Sequence, residues 1–302
     1  MLRATCFVLG AILCAESAAQ TPTPQSVASE LLAADRAFST AAAKLNVVEG
    51  LSAMFADDVI MPAPPGVFIE GKAKAIEALT ANPDNVALRA PAWQPLGGGV
   101  SADGLHGYTY GLMQIAKPPA TLHVKYMAYW VKGLQGWRAV AYKRRGAAMP
   151  TEPPTTTPKM LLPERLTAPM TDAAALAKQR DSLAATEKSF SDDAQKIGLG
   201  AAFEKYGSPD AVNMGGPSSG QFTQGNVAIS REVGAGGLPN SSPVSWGADF
   251  RTIVASSGDL GITFGYIRVN GPGPDGKTPP ATPFFTIWRR ANASAPWKYV
   301  AE

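Results

Sequence analysis

The chain has 302 residues, with 27 basic against 24 acidic side chains and a formal net charge of +3. That mild balance speaks against a nucleic-acid partner, and the one dense basic cluster, Lys143-Arg144-Arg145, reads as a solvated strand end. Both cysteines, Cys6 and Cys14, fall before residue 20, which leaves the rest of the chain without a disulfide, a thiolate ligand or a thiol nucleophile.

Residues 1–19 read as a secretory signal peptide. Arg3 supplies the positive start, Cys6 to Cys14 is a short apolar run, and Ser17-Ala18-Ala19 offers small residues for cleavage after Ala19. The run is shorter than the roughly 20 apolar residues a membrane anchor needs. A lipoprotein signal would place a small residue before Cys14, where Leu13 stands. A periplasmic or secreted location is therefore expected, and no later stretch is apolar enough to span a membrane.

An opening helix is predicted from Val27, Leu31, Ala34, Phe38, Ala42 and Leu45, which step by three or four along one face. A second short helix is expected around 48–55, a Pro/Gly-rich hairpin at 62–71, and a third helix from Lys72. Beyond residue 90 the pattern turns to period two, with strands at 106–116, 121–132 and 137–144. Residues 146–172 carry Pro150, Pro153, Pro154, Pro158, Pro163 and Pro169 and read as an extended, semi-rigid linker.

Past the linker the chain repeats itself. LAADRAFS at 32–39 returns as AATEKSFS at 184–191, and GYTYG at 107–111 returns as GITFG at 261–265. A second opening helix follows from Leu176, Leu183, Thr186, Phe190, Ala194 and Ile197. Then come a short helix at 199–206, a hairpin at 215–225, a helix from Asn226, and strands near 245–255, 260–270, 281–290 and 297–302. The offset between copies is 152 at Phe38/Phe190 and 160 at Trp137/Trp297, the drift that small loop insertions produce. Two domains are expected, 20–145 and 173–302, each long enough for its own core. Helices first and strands after gives an α+β class, with helices on one face of a curved antiparallel sheet.

The strand at 122–131 carries Val124, Tyr126, Ala128 and Trp130 on one face, and Met127, Tyr129 and Val131 on the other. A sheet with one wet face alternates apolar with polar. Here both faces are apolar, and the second copy repeats this with Phe284, Thr286 and Trp288 against Phe285 and Ile287. One face meets the helices; the other is expected to meet the sister domain, making an intrachain pseudo-dimer.

Four pieces carry a family resemblance: Asp35 with Phe38; Phe55-Ala56-Asp57-Asp58 leading to Gly71; Gly107 to Gly111; and Lys125 to Trp130 followed by Gly136-Trp137-Arg138. The second copy answers with Glu187 and Phe190, Asp210, Gly225, Ser257 to Gly261, and Phe284 to Trp288. In this order, twice, they resemble the nuclear transport factor 2-like, cystatin-like cone, with its ketosteroid isomerase-like and SnoaL-like branches. The resemblance implies about three N-terminal helices over a bent sheet, enclosing a conical pocket and pairing through the sheet. It does not imply one function. The isomerase's base would fall on Ala63 in the first copy and on Gly215 or Gly216 in the second. Its helix-one tyrosine falls near Phe38 and Phe190. None of these can take or give a proton.

Asp35 and Glu187 stand at the same place in helix one, bordering the buried face. They read either as a proton-shuttling acid or base or as structural acceptors for an indole or backbone N–H, and the structural reading is preferred. Tyr108, Tyr110, Tyr126, Trp130, Phe264, Tyr266, Phe284 and Trp288 are candidate pocket-lining residues or plain core. Arg268 is a candidate carboxylate clamp or a snorkelling edge residue. Glu302 matches Tyr142 of the first copy. His106 is expected to be solvated, and His123 to sit at an interface or surface. With two histidines and no thiols, no metal site is expected. No cofactor is expected either: there is no Gly-rich phosphate loop after a strand, no nucleophile elbow and no CxxC. Three functions follow: non-catalytic binding of a small apolar or amphipathic molecule; a SnoaL-like isomerase, cyclase or lyase using Asp35 or Glu187; or a structural module with filled cones.

Overall fold

The computed structural model describes residues 21–63, 65–153, 157–273 and 276–302. The expected signal peptide, with Cys6 and Cys14, lies outside the described residues. Helix α1 (Pro24–Ala42) begins where Thr23 accepts the Ser26 N–H at 3.1 Å while Ser26 Oγ accepts the Thr23 N–H at 2.9 Å. Pro24 presets the first turn. It is followed by α2 (Val47–Ser52), β1 (Phe55–Ala63), β2 (Val67–Glu70), α3 (Lys72–Thr80) and α4 (Pro83–Ala87). Then come β3 (Ala92–Val100), β4 (His106–Lys117), β5 (Ala120–Gly133), β6 (Gly136–Ala147) and the short β7 (Lys159–Leu161).

The second half opens with α5 (Ala173–Ile197), capped by Asp172 on the Ala174 N–H at 2.9 Å. It continues with α6 (Leu199–Tyr206), β8 (Gly207–Asn213), β9 (Thr223–Gln224), α7 (Asn226–Val233), β10 (Val244–Val254), β11 (Leu260–Val269), β12 (Thr282–Arg289) and β13 (Lys298–Ala301). The first sheet runs β2-β1-β6-β5-β4-β3-β7 and the second β10-β11-β12-β13-β8-β9. The architecture is α+β, two helix-covered sheets built alike. Among the described residues no helix is long and apolar enough to cross a membrane.

The segment read as a linker is more than a spacer. Lys159, Met160 and Leu161 pair in parallel with Gly97, Gly98 and Gly99, so part of it is an edge strand of the first sheet. Strands β1 and β3 and helix α4 also extend what the periodicity announced.

Strand β5 sorts its side chains as its two apolar faces require. Val124, Tyr126, Ala128 and Trp130 join the core under α1, with Leu31, Met54, Phe55 and Trp93. Met127 and Tyr129, both fully buried, join Ile262, Phe264, Phe285 and Ile287 of the second half in one cluster. The two sheets therefore pack face to face within the chain. Each large apolar side chain removed from water there contributes about 2 kcal/mol.

Polar groups stitch the rim of this seam. Two of the cluster read as a solvated strand end are among them: Lys143 Nζ donates to Phe285 O at 2.9 Å and Arg145 to Gly215 O at 2.8 Å, while Arg144 donates within the first half to Asn85 Oδ1 at 2.7 Å. Asp103 accepts from Ser256 Oγ at 2.7 Å and from the Ser257 N–H at 3.2 Å, and Asp259 accepts the Ala102 N–H at 3.1 Å. Burial alone would raise the Asp103 carboxyl, but the hydrogen bonds from Ser101, Ser256 and the Leu105 N–H outweigh it and hold its pKa below the ordinary value.

The repeated G-x-x-x-G motif has a steric cause. A Cβ on Gly107 would stand 2.6 Å from Leu31 Cδ2, and one on Gly261 would stand 2.6 Å from Leu183 Cδ2. Both glycines let the helix-one leucine rest on the strand. A Cβ on Gly111 would run into Gln94 O, and one on Gly265 into Gly247 O, where the preceding strand is bulged. Gly265→Ala is expected to cost about 3 kcal/mol. Gly133→Ala, whose Cβ meets nothing within 4 Å, is expected to be nearly neutral. Urea titration of both variants checks the contrast; equal midpoints would refute it.

Candidate functional site

Each half holds one fully buried carboxylate under its first helix, and the sheet closes around it in the same way twice. In the first half, Ser39 Oγ accepts the Trp93 N–H at 2.7 Å, which fixes β3 against α1. The Trp93 indole then donates to Asp35 Oδ1 at 2.6 Å, and Tyr126 donates its hydroxyl to Asp35 Oδ2 at 2.9 Å. In the second half, Ser191 Oγ accepts the Trp246 N–H at 2.8 Å. Glu187 accepts from the Trp246 indole at 2.8 Å, from Thr263 Oγ1 at 2.5 Å and from the Trp288 indole at 3.1 Å.

The two networks trade reach between partners. Asp35 is one methylene shorter than Glu187, and Tyr126 extends a hydroxyl to meet it. Both acids bond the matching threonine, Thr109 or Thr263; Glu187, being longer, also reaches the Trp288 indole, and the place of Tyr126 is taken by Phe284, which has no hydroxyl. Burial pushes both carboxyls above their ordinary values, and Glu187 reaches about 7. Donors from the indoles and hydroxyls pull the other way.

The space around these acids is occupied by side chains. Phe190 lies with its ring centroid 4.9 Å from Phe203, 5.0 Å from Tyr206, 4.8 Å from Trp246 and 5.8 Å from Tyr299. In the first cone Phe38 stacks on Trp130 at 6.1 Å and Phe55 tilts on Tyr142 at 5.5 Å. Trp130 donates its indole to Thr109 Oγ1 at 2.9 Å, as Trp288 does to Thr263 Oγ1 at 3.0 Å.

Of the residues read from sequence as pocket lining, Tyr126, Trp130 and Trp288 lie inside the cones with the acids. Phe284 is buried on the strand face it shares with Trp288. The remaining aromatics face elsewhere. Tyr108, Tyr110 and Phe264 belong to the seam between the sheets, and Tyr266 meets Phe68 across it at 5.2 Å. Gly107, Thr109 and Gly111 take the cone side of β4, because only small residues fit under α1 there. Arg268 is exposed and already paired with Asp249, so it is not a clamp in a cone. His106, expected in solvent, is half-buried with Nδ1 3.1 Å from Tyr129 Oη, and burial holds its imidazole below the ordinary value. His123 lines a surface groove with Gln114, Met149 and Pro217.

Sequence reasoning passed over Trp93, Trp246, Ser39, Ser191, Thr109 and Thr263. All six were visible as pairs: each recurs at nearly the offset that relates Asp35 to Glu187. Polar groups without partners also recur at matching places. Among the described residues, Trp137 Nε1, Tyr142 Oη, Trp297 Nε1 and Glu302 Oε2 are buried and unbonded. Burial pushes Glu302 up to about 7, with Lys143 opposing, and the Glu302 charge adds to the rise at Glu187.

Open space lies at the seam. One cleft of about 600 Å³ runs between residues 160–164 and the β8–β13–β12 edge, lined by Arg289, Arg290, Lys298, Asp210 and Val300. Another, about 670 Å³, lies beside β1 and β6 and is lined by Asp57, Asp58, Lys72, His106 and Arg138.

No known family profile matches the sequence, and no curated protein matches it. Solved structures similar to it are NTF2-like and ketosteroid isomerase-like proteins. One is a ketosteroid isomerase-like protein from Erwinia carotovora atroseptica, at 13% identity and a TM-score of 0.30, covering 40% of this chain and 94% of that one. A second is an NTF2-like protein of unknown function from Pseudomonas putida, at 13% identity and 0.34, covering 45% and 96%. A third is described as a dehydratase of the NTF2-like family from Streptomyces avermitilis, at 15% identity and 0.32, covering 41% and 99%.

Proposed function

We propose that the protein is an exported, non-catalytic binding module whose cones are closed structural cores and whose ligand surface lies at the seam of its two halves. The observation that carries this reading is the state of the two helix-one acids. A working acid or base faces a substrate, whereas Asp35 and Glu187 face indole and hydroxyl donors of their own sheets. The domains 20–145 and 173–302 then serve as the two walls of the binding surface.

One observation favours a second reading. Glu302 Oε2 is buried without a partner, and its charge is felt by Glu187. A carboxyl held protonated by burial and a neighbouring carboxylate can pass its proton on. The reaction class would be proton transfer at an enolisable carbon. Incubating the protein in D2O with small enolisable ketones and following exchange by NMR separates the two. The expected result is no exchange above buffer. Exchange that disappears in Glu187→Gln or Glu302→Gln would overturn the binding reading.

A further inference from the structure

We propose that the cleft under residues 160–164 binds a small amphipathic monocarboxylate, held by the guanidinium of Arg289. This rests on the binding reading above and names its site and ligand class.

Arg289 stands at the end of β12, on the strand face it shares with Phe285 and Ile287, where the seam opens into the cleft. It is half-buried, yet among the described residues its guanidinium makes no hydrogen bond and no ion pair. The other cations of the cleft are occupied. Arg290 donates Nε to Gly258 O at 2.6 Å and lies over the Trp297 ring at 4.1 Å, and Lys298 donates to Lys205 O. The nearby acids are occupied as well: Asp210 pairs with Lys159 at 2.7 Å, and Asp259 accepts the Ala102 N–H. A guanidinium on the wall of a cleft with no protein partner has its five donors free for a ligand.

Tyr108 stands behind the cleft rather than in it: it is buried in the seam, and its ring approaches Leu161 beside Gly99. A planar carboxylate matches a guanidinium through two parallel hydrogen bonds, which a lone hydroxyl or amide does not.

The rest of the cleft defines the body of the ligand. Met160, Leu161, Leu162, Pro163, Pro296 and Val300 form apolar walls, and about 600 Å³ is within the range of small-molecule sites. Glu164 and Asp210 at the same cleft disfavour a second negative charge, so a monoanion is preferred over a phosphate monoester. Residues 160–164 continue from β7, so the strap that covers the ligand is anchored on the first sheet while Arg289 belongs to the second.

The test is calorimetric titration of the whole protein with octanoate, octanol and octyl phosphate. Octanoate is expected to bind at one site, with octanol and octyl phosphate at least tenfold weaker. Arg289→Gln and Ala295→Trp, the second filling the cleft from the loop between β12 and β13, are each expected to weaken octanoate at least tenfold with an unchanged melt. Absence of octanoate binding to the folded wild type overturns the proposal. So does binding that neither variant alters, which would move the ligand elsewhere and leave the binding reading standing. Exchange of enolisable ketones would instead defeat that reading, whatever octanoate does.

Discussion

Glu187→Ala is expected to remove about 4 kcal/mol of stability, whereas Glu187→Gln is expected to cost almost nothing at pH 5 and to stabilise at pH 8. Alanine orphans the Trp246 indole and leaves the Thr263 hydroxyl only a long bond to Thr286 O at 3.4 Å, while the Trp288 indole keeps Thr263 Oγ1. Each orphaned buried donor costs about 1–3 kcal/mol, and the cavity adds to that. Glutamine keeps the shape: its carbonyl accepts from Trp246, and its amide donates to Thr263 Oγ1, which already accepts from Trp288 at 3.0 Å. The charge itself is a burden. Burial pushes Glu187 from 4.5 to about 7, so between those values the folded state holds a proton the unfolded state has released. Stability therefore falls as pH rises from about 4.5 to 7, by about 3 kcal/mol for this one group. Glu302, also raised to about 7, adds to the same slope, while Lys143, pushed down to about 8, titrates above this window. Melting curves of wild type and Glu187→Gln should meet near pH 5 and separate by pH 8, with the variant higher. Parallel curves, or wild type gaining stability over that interval, would refute the account.

The same carboxylate shows what could be read in advance. Its place was legible because the motif around it occurs twice and its spacing to Phe190 puts it at the edge of a helical stripe. Its partners were not, because Trp246 and Thr263 lie 59 and 76 residues away on other strands, and contact across a fold leaves no local period. The pairing of the sheets was legible from Met127 and Tyr129, apolar side chains on a face that would otherwise be wet. Which face of β4 meets the partner was not fixed by the aromatics. Tyr108 and Tyr110 suit a pocket and a seam equally, and only the small residues between them carry the answer. Strand β7 was hidden by its flanking prolines and by its length, three residues being too few for alternation to register. The basic run 143–145 was misread because a charge count does not say which carbonyls lie opposite.

Ile287→Asp is expected to split one unfolding transition into two. Ile287 is fully buried in the seam, registered opposite Ile262 on β11 and Ala301 on β13. Replacing it loses about 2 kcal/mol of apolar burial and sets a carboxylate among Ile262, Phe264 and Phe285, where it loses its water. The sum exceeds about 5 kcal/mol, enough to open the face-to-face packing rather than protonate and stay. The halves do not suffer equally. The first cone has a large core of its own, from Val27 to Tyr142, whereas the second cone's cluster is smaller and leans on the seam. The second half should therefore melt first. Trp246, Trp288 and Trp297 would become exposed while Trp93, Trp130 and Trp137 stay buried, and a hydrophobic dye would bind the bared face of the first sheet between the transitions. Trp288→Phe, one residue along and pointing into the cone, removes an indole donor without touching the seam, and should lower the midpoint while keeping a single transition. If Ile287→Asp also melts in one step near the wild-type midpoint, the two sheets do not depend on each other for their fold.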